Sequence, residues 1–99
     1  MAVSTIPAPT YIFKEYKGPA ATISAGTIGT HIDGDYTGVS ITGYKAIGAM
    51  IGYHNHPGSY TPKVMISSNR LYRSYTRVVA TQVAIAAEDW SAIVLYEKI

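Results

Sequence analysis

Ninety-nine residues make one domain, long enough to bury roughly 60 to 70% of its unfolded surface. Charged residues are only 14% of the chain while apolar residues reach 47%, against about 25% charged in an average soluble domain, so part of the surface is expected to be covered by other copies. The net charge of +2 is too mild to imply a nucleic-acid footprint, so no nucleic-acid partner is expected, and the absence of cysteine excludes a disulfide framework, a thiolate nucleophile and a cysteine zinc site.

The N-terminus carries Pro7, Pro9 and Pro19. Proline fixes φ and removes a donor, so residues 1–19 are expected to be an extended arm, with an edge-like strand over 11–16. No window approaches the ~18 apolar residues of a membrane span, and no basic, apolar leader opens the sequence, so no membrane insertion is expected. From residue 20 onward glycine punctuates the chain into pieces of strand length. The expected strands are 22–24, 27–32, 36–42, 44–53, 63–67, 70–75, 77–86 and 90–97. Asp33-Gly34 is a two-residue hairpin signal, His56-Pro57-Gly58-Ser59 marks a second turn and Ser68-Asn69 a third.

The last third is the most patterned part. Val79, Thr81, Val83 and Ile85 fall on one parity and Val78, Ala80, Gln82 and Ala84 on the other, the period of a strand with one face on a core. A helix also fits the spacing of Val79, Val83, Ala86, Ala87 and Trp90, but the β-branched content and the IVLY run that follows favour strands. The two runs, separated by Glu88-Asp89, predict a terminal hairpin. Regularly spaced short strands with such turns predict an all-β antiparallel β-sandwich.

The string GYKAIGAMIGY at 43–53, after TISAGTIGT at 22–30 and before SNRLY at 68–72 and IVLYEKI at 93–99, resembles a C-terminal head domain of bacteriophage tail-fibre and other virion structural proteins. The resemblance covers about residues 21–99. It implies a jelly-roll-like sandwich over residues 20–99, a homotrimer, location on the virion, and attachment to a host-surface receptor, with a glycan as the expected ligand. The arm would then dock onto other virion proteins. The alternative is a capsid or tail decoration or cap protein with a structural role only.

His54-Asn55-His56-Pro57 is the sharpest chemical motif. It resembles the His-x-His-Pro of metal-dependent deubiquitinase-like peptidases, but their supporting residues are missing: Ser67 is followed three residues later by Arg70, not an aspartate, and no glutamate lies between Glu15 and His54. In a strand, His54 and His56 would share a face, and three copies about a threefold axis would offer six imidazole nitrogens to one octahedral metal ion. Against this stands a plain exposed turn, which Pro57 favours. For receptor binding, Arg73, Tyr75 and Arg77 share a face if extended, placing a tyrosine between two guanidinium groups. Tyr53 and Tyr60 flank the expected loop at 54–62, and Tyr72 lies beside another; tyrosine suits surfaces that are apolar on one side and wet on the other. The close acidic pairs fall in expected turns and no Gly-x-Ser-x-Gly elbow is present, so neither an enzyme nor a cofactor is expected.

Overall fold

The structure is a computed structural model and describes residues 10–99; residues 1–9 of the arm expected over 1–19 lie outside the described residues. Eight strands occur: β1 (Tyr11–Lys17), β2 (Ala21–Ile23), β3 (His31–Gly38), β4 (Tyr44–His54), β5 (Tyr60–Ser67), β6 (Arg70–Arg77), β7 (Val83–Ile85) and β8 (Trp90–Lys98). All pairings are antiparallel, so the protein is an all-β sandwich. One sheet runs β1-β8-β4, another β3-β6-β5, and a two-stranded piece, β2-β7, joins them.

The pairs nest. β1 pairs with β8, β2 with β7 and β3 with β6, so the chain forms one long ribbon that doubles back at its middle and bends twice, the rolled pairing of a jelly roll. Backbone hydrogen bonds carry the ribbon across its bends: Gly18 N–H donates to Trp90 O at 2.7 Å, Gly26 N–H to Ala80 O at 3.0 Å and Arg77 N–H to Thr30 O at 3.1 Å. β4 and β5 then fold onto the free sides of β8 and β6. The Ser68-Asn69 turn closes the β5–β6 hairpin with both residues at positive φ, 50° and 56°, the twist a two-residue hairpin needs. Asn69 also accepts a hydrogen bond from Ala46 N–H at 3.0 Å through its side chain, tying that turn to β4.

Burial on β8 is deepest on one parity, with Ser91 of the other parity buried as well. Trp90, Ala92, Val94 and Tyr96 are buried and face Tyr60 of β5 and Leu71 and Tyr75 of β6 in one core. Tyr96 keeps its hydroxyl satisfied by donating to Val39 O at 2.6 Å, with the Tyr16 hydroxyl 2.5 Å away; burial raises its pKa.

Three sequence expectations are corrected. There is no terminal hairpin, because β7 covers only Val83–Ile85 and pairs with β2, leaving β8 to insert between β1 and β4. Asp33-Gly34 is not a hairpin turn: β3 runs through it, with a register shift between Asp33 and Tyr36 that marks a bulge. The edge-like strand expected over 11–16 is β1 at the edge of its sheet, but with every residue paired to β8 it belongs to the sandwich and not to the arm.

Candidate functional site

Two clusters stand out, one exposed and one buried. The exposed one forms on the outer face of the β3-β6-β5 sheet. Leu71 and Tyr75 point inward, so the alternate residues Tyr72 and Ser74 point outward. Register then sets the rows: Tyr36, Tyr72 and Met65 lie side by side, and Asp33, Ser74 and Lys63 form the next row. These side chains, with His31, line a groove of about 310 Å³. Tyr36 and Tyr72 are tilted against each other with ring centroids 5.4 Å apart, and both are exposed together with Met65.

Charge frames the rings. The Arg70 guanidinium lies 4.7 Å from the Tyr36 centroid, a cation–π distance that holds one ring face. Arg73 pairs with Asp35 and donates to Thr37 Oγ1 at 2.6 Å, and that guanidinium lowers the Asp35 pKa. His31 Nε2 lies 2.8 Å from Asp33 Oδ1 at one end of the groove. Lys63 has no acidic partner among the described residues.

The buried cluster centres on Asp89, in the turn that precedes β8. Its carboxylate accepts from the Tyr60 hydroxyl at 2.5 Å and lies 2.6 Å from His56 Nδ1. The Tyr60 bond chiefly, with His56, holds the Asp89 pKa below its ordinary value despite burial. Burial and the same carboxylate push the Tyr60 pKa upward. His54 packs on Tyr60 with ring centroids 4.4 Å apart; its Nε2 and Trp90 Nε1 are buried without a hydrogen-bond partner among the described residues. Desolvation lowers the His54 pKa. The cluster is a clamp, pinning the 55–59 turn onto the start of β8. Asn55 N–H completes it, donating to Asp89 O at 3.0 Å.

Most residues expected to bind a receptor are placed elsewhere. Tyr60 and Tyr75 are only 1% and 5% exposed, as both rings belong to the core, so neither can stack on a ligand. Tyr53 is held beneath Lys17, whose ammonium is 4.9 Å from the ring centroid, and donates to Glu88 O at 2.8 Å. Arg77 donates from Nε to Ser24 O at 2.8 Å. Of that set only Arg73 lines the groove. The metal expectation also changes: His56 turns to Asp89 and His54 to Tyr60, and no group of three metal-ligating side chains occurs among the described residues.

Sequence reasoning singled out Tyr72 but passed over Tyr36, Met65, Lys63, His31 and Asp33. Treating Leu71 and Tyr75 as the inward pair of β6 would have turned Tyr72 and Ser74 outward; the rest depend on cross-strand register. Comparison of the chain with protein-family models, curated proteins and solved structures matched none of them.

Proposed function

We propose that the protein is the receptor-binding head of a phage tail fibre or virion surface, holding a host-surface glycan in the groove of the β3-β6-β5 sheet without catalysis. The observation that carries the glycan reading is the exposed Tyr36–Tyr72 pair on a rigid three-stranded platform. An aromatic ring gives a sugar a flat apolar face at small entropic cost. Lys63, Ser74, Asp33 and His31 surround the rings with donors and acceptors for hydroxyl groups. The virion setting rests on the resemblance of the strings at 43–53, 68–72 and 93–99 to fibre heads. Several copies on one particle would turn a weak single site into firm attachment.

The test is adsorption of labelled protein to host envelopes, paired with a glycan array. Tyr72→Ala should weaken binding about tenfold or more, on the scale of an exposed aromatic anchor, with an unchanged melting temperature. Binding unaffected by Tyr36→Ala and Tyr72→Ala together removes the groove from the reading. Wild-type protein that ignores envelopes and binds virion shells makes it a decoration protein instead.

A further inference from the structure

The other sheet, β1-β8-β4, has an outer face whose middle no described residue covers. Phe13 and Met50 stand out of it at 65% and 58% exposure. With Ile93, Leu95 and Gly48 they line an apolar groove of about 210 Å³.

The face is built to receive itself. One row across the sheet reads Phe13 on β1, Leu95 on β8 and Gly48 on β4. Phe13 is a protruding ring at one edge. Gly48 is a hole at the other: a Cβ placed there would meet nothing within 4 Å. Knob and hole are equidistant from Leu95, one strand to either side. A twofold axis running along the strands above Leu95 therefore sets each Phe13 over Gly48 of the other copy, and Leu95 on Leu95. Stacked sheets about 10 Å apart with nearly aligned strands are a standard packing.

The rim agrees. The next row is Tyr11, Glu97 and Lys45, and the same axis lays Lys45 over Tyr11 of the second copy, a cation–π arrangement. Glu15 and Lys17 lie toward the other end, 3.3 Å apart. Two lysines and two glutamates leave the face neutral, so identical copies approach it without net repulsion. We infer that this face is an isologous dimer interface, closed by Phe13 of each copy entering the space over Gly48 of the other.

A three-stranded face of this length would bury on the order of 1,000 Å² in total, the lower limit for a specific interface. The copy number it sets is two, where the fibre-head resemblance implies three.

Light scattering with sedimentation at roughly 100 µM, where an interface of this size should be populated, is the test. Wild-type protein should give about twice the 10.7 kDa chain mass. Gly48 is not among the positive-φ residues and has open space, so Gly48→Leu should keep the far-UV spectrum of the folded chain yet be monomeric, its hole filled. Phe13→Ala should be monomeric as well, and carries the test if Gly48→Leu does not fold. Phe13→Ala with Gly48→Phe moves the knob to the opposite edge and should restore the dimer by symmetry. A wild-type mass of one chain or three, folded Gly48→Leu or Phe13→Ala that still dimerises, or a folded exchange variant that stays monomeric overturns the inference.

Discussion

Removing the Asp89 carboxylate should expose how much of the sandwich hangs on one buried acid. Asp89 is 6% exposed and its two oxygens serve Tyr60 at 2.5 Å and His56 at 2.6 Å. Asp89→Ala deletes a charge-assisted bond to a buried hydroxyl, about 1.5 to 3 kcal/mol, and strands the Tyr60 O–H for about 1 to 3 more. The His56 contact adds little, because that ring is mostly exposed. The single change should therefore cost about 3 to 5 kcal/mol, a large share of the ~5 to 15 of a whole domain. Tyr60→Phe should cost about 2 kcal/mol at neutral pH, since it leaves the carboxylate short of a donor. Joined to Asp89→Ala it should cost almost nothing further, so urea unfolding of the four proteins at pH 7 should give a coupling energy near 2 kcal/mol. The coupling has a sign in pH as well. A depressed folded-state pKa stabilises above the unfolded value of 3.8 and the stabilisation is lost as pH falls through the folded value. The cycle should therefore close to zero in strong acid. Additive effects at pH 7 would refute the reasoning, because they would mean that the carboxylate and hydroxyl do not sense each other.

Two other outcomes follow from the same region. Gly18→Ala places a Cβ 2.5 Å from Trp90 Nε1 and Cε2, on a backbone pinned by bonds to Trp90 O and from Glu88 N–H; overpacking of about 2 kcal/mol should lower the melting temperature by roughly 10 °C, read by circular dichroism. His54, whose folded-state pKa is depressed chiefly by desolvation, contributes stability that is full above the unfolded value of 6.5 and lost as pH falls toward the folded value. His54→Phe should flatten that slope between pH 7 and 5 in denaturant titrations.

Local pattern carried the strands and lost their partners. The run at 90–97 was legible because it is apolar and rich in β-branched residues, and β8 is the central strand of its sheet. The run at 77–86 alternates cleanly, yet Arg77 ends β6 and beyond it only Val83–Ile85 forms a strand, because pairing belongs to geometry far along the chain. Tyr60 and Tyr75 show the same limit. An aromatic beside a turn looks like a ligand platform until a buried aspartate 29 residues away is seen to accept its hydroxyl. Tyr36 and Tyr72 became a platform only when the register placed them side by side.

The nested ribbon also dictates an order of events in time. The β5–β6 hairpin is local, closed by two residues, whereas Tyr11 must find Glu97 across nearly the whole chain. Closing a long loop before its contacts form is slow, so refolding should fall in the millisecond-to-second range of β topologies. During synthesis β1 leaves the ribosome while its partner is still unmade. Ile12, which packs against the core in the finished sandwich, then waits without cover until β8 emerges.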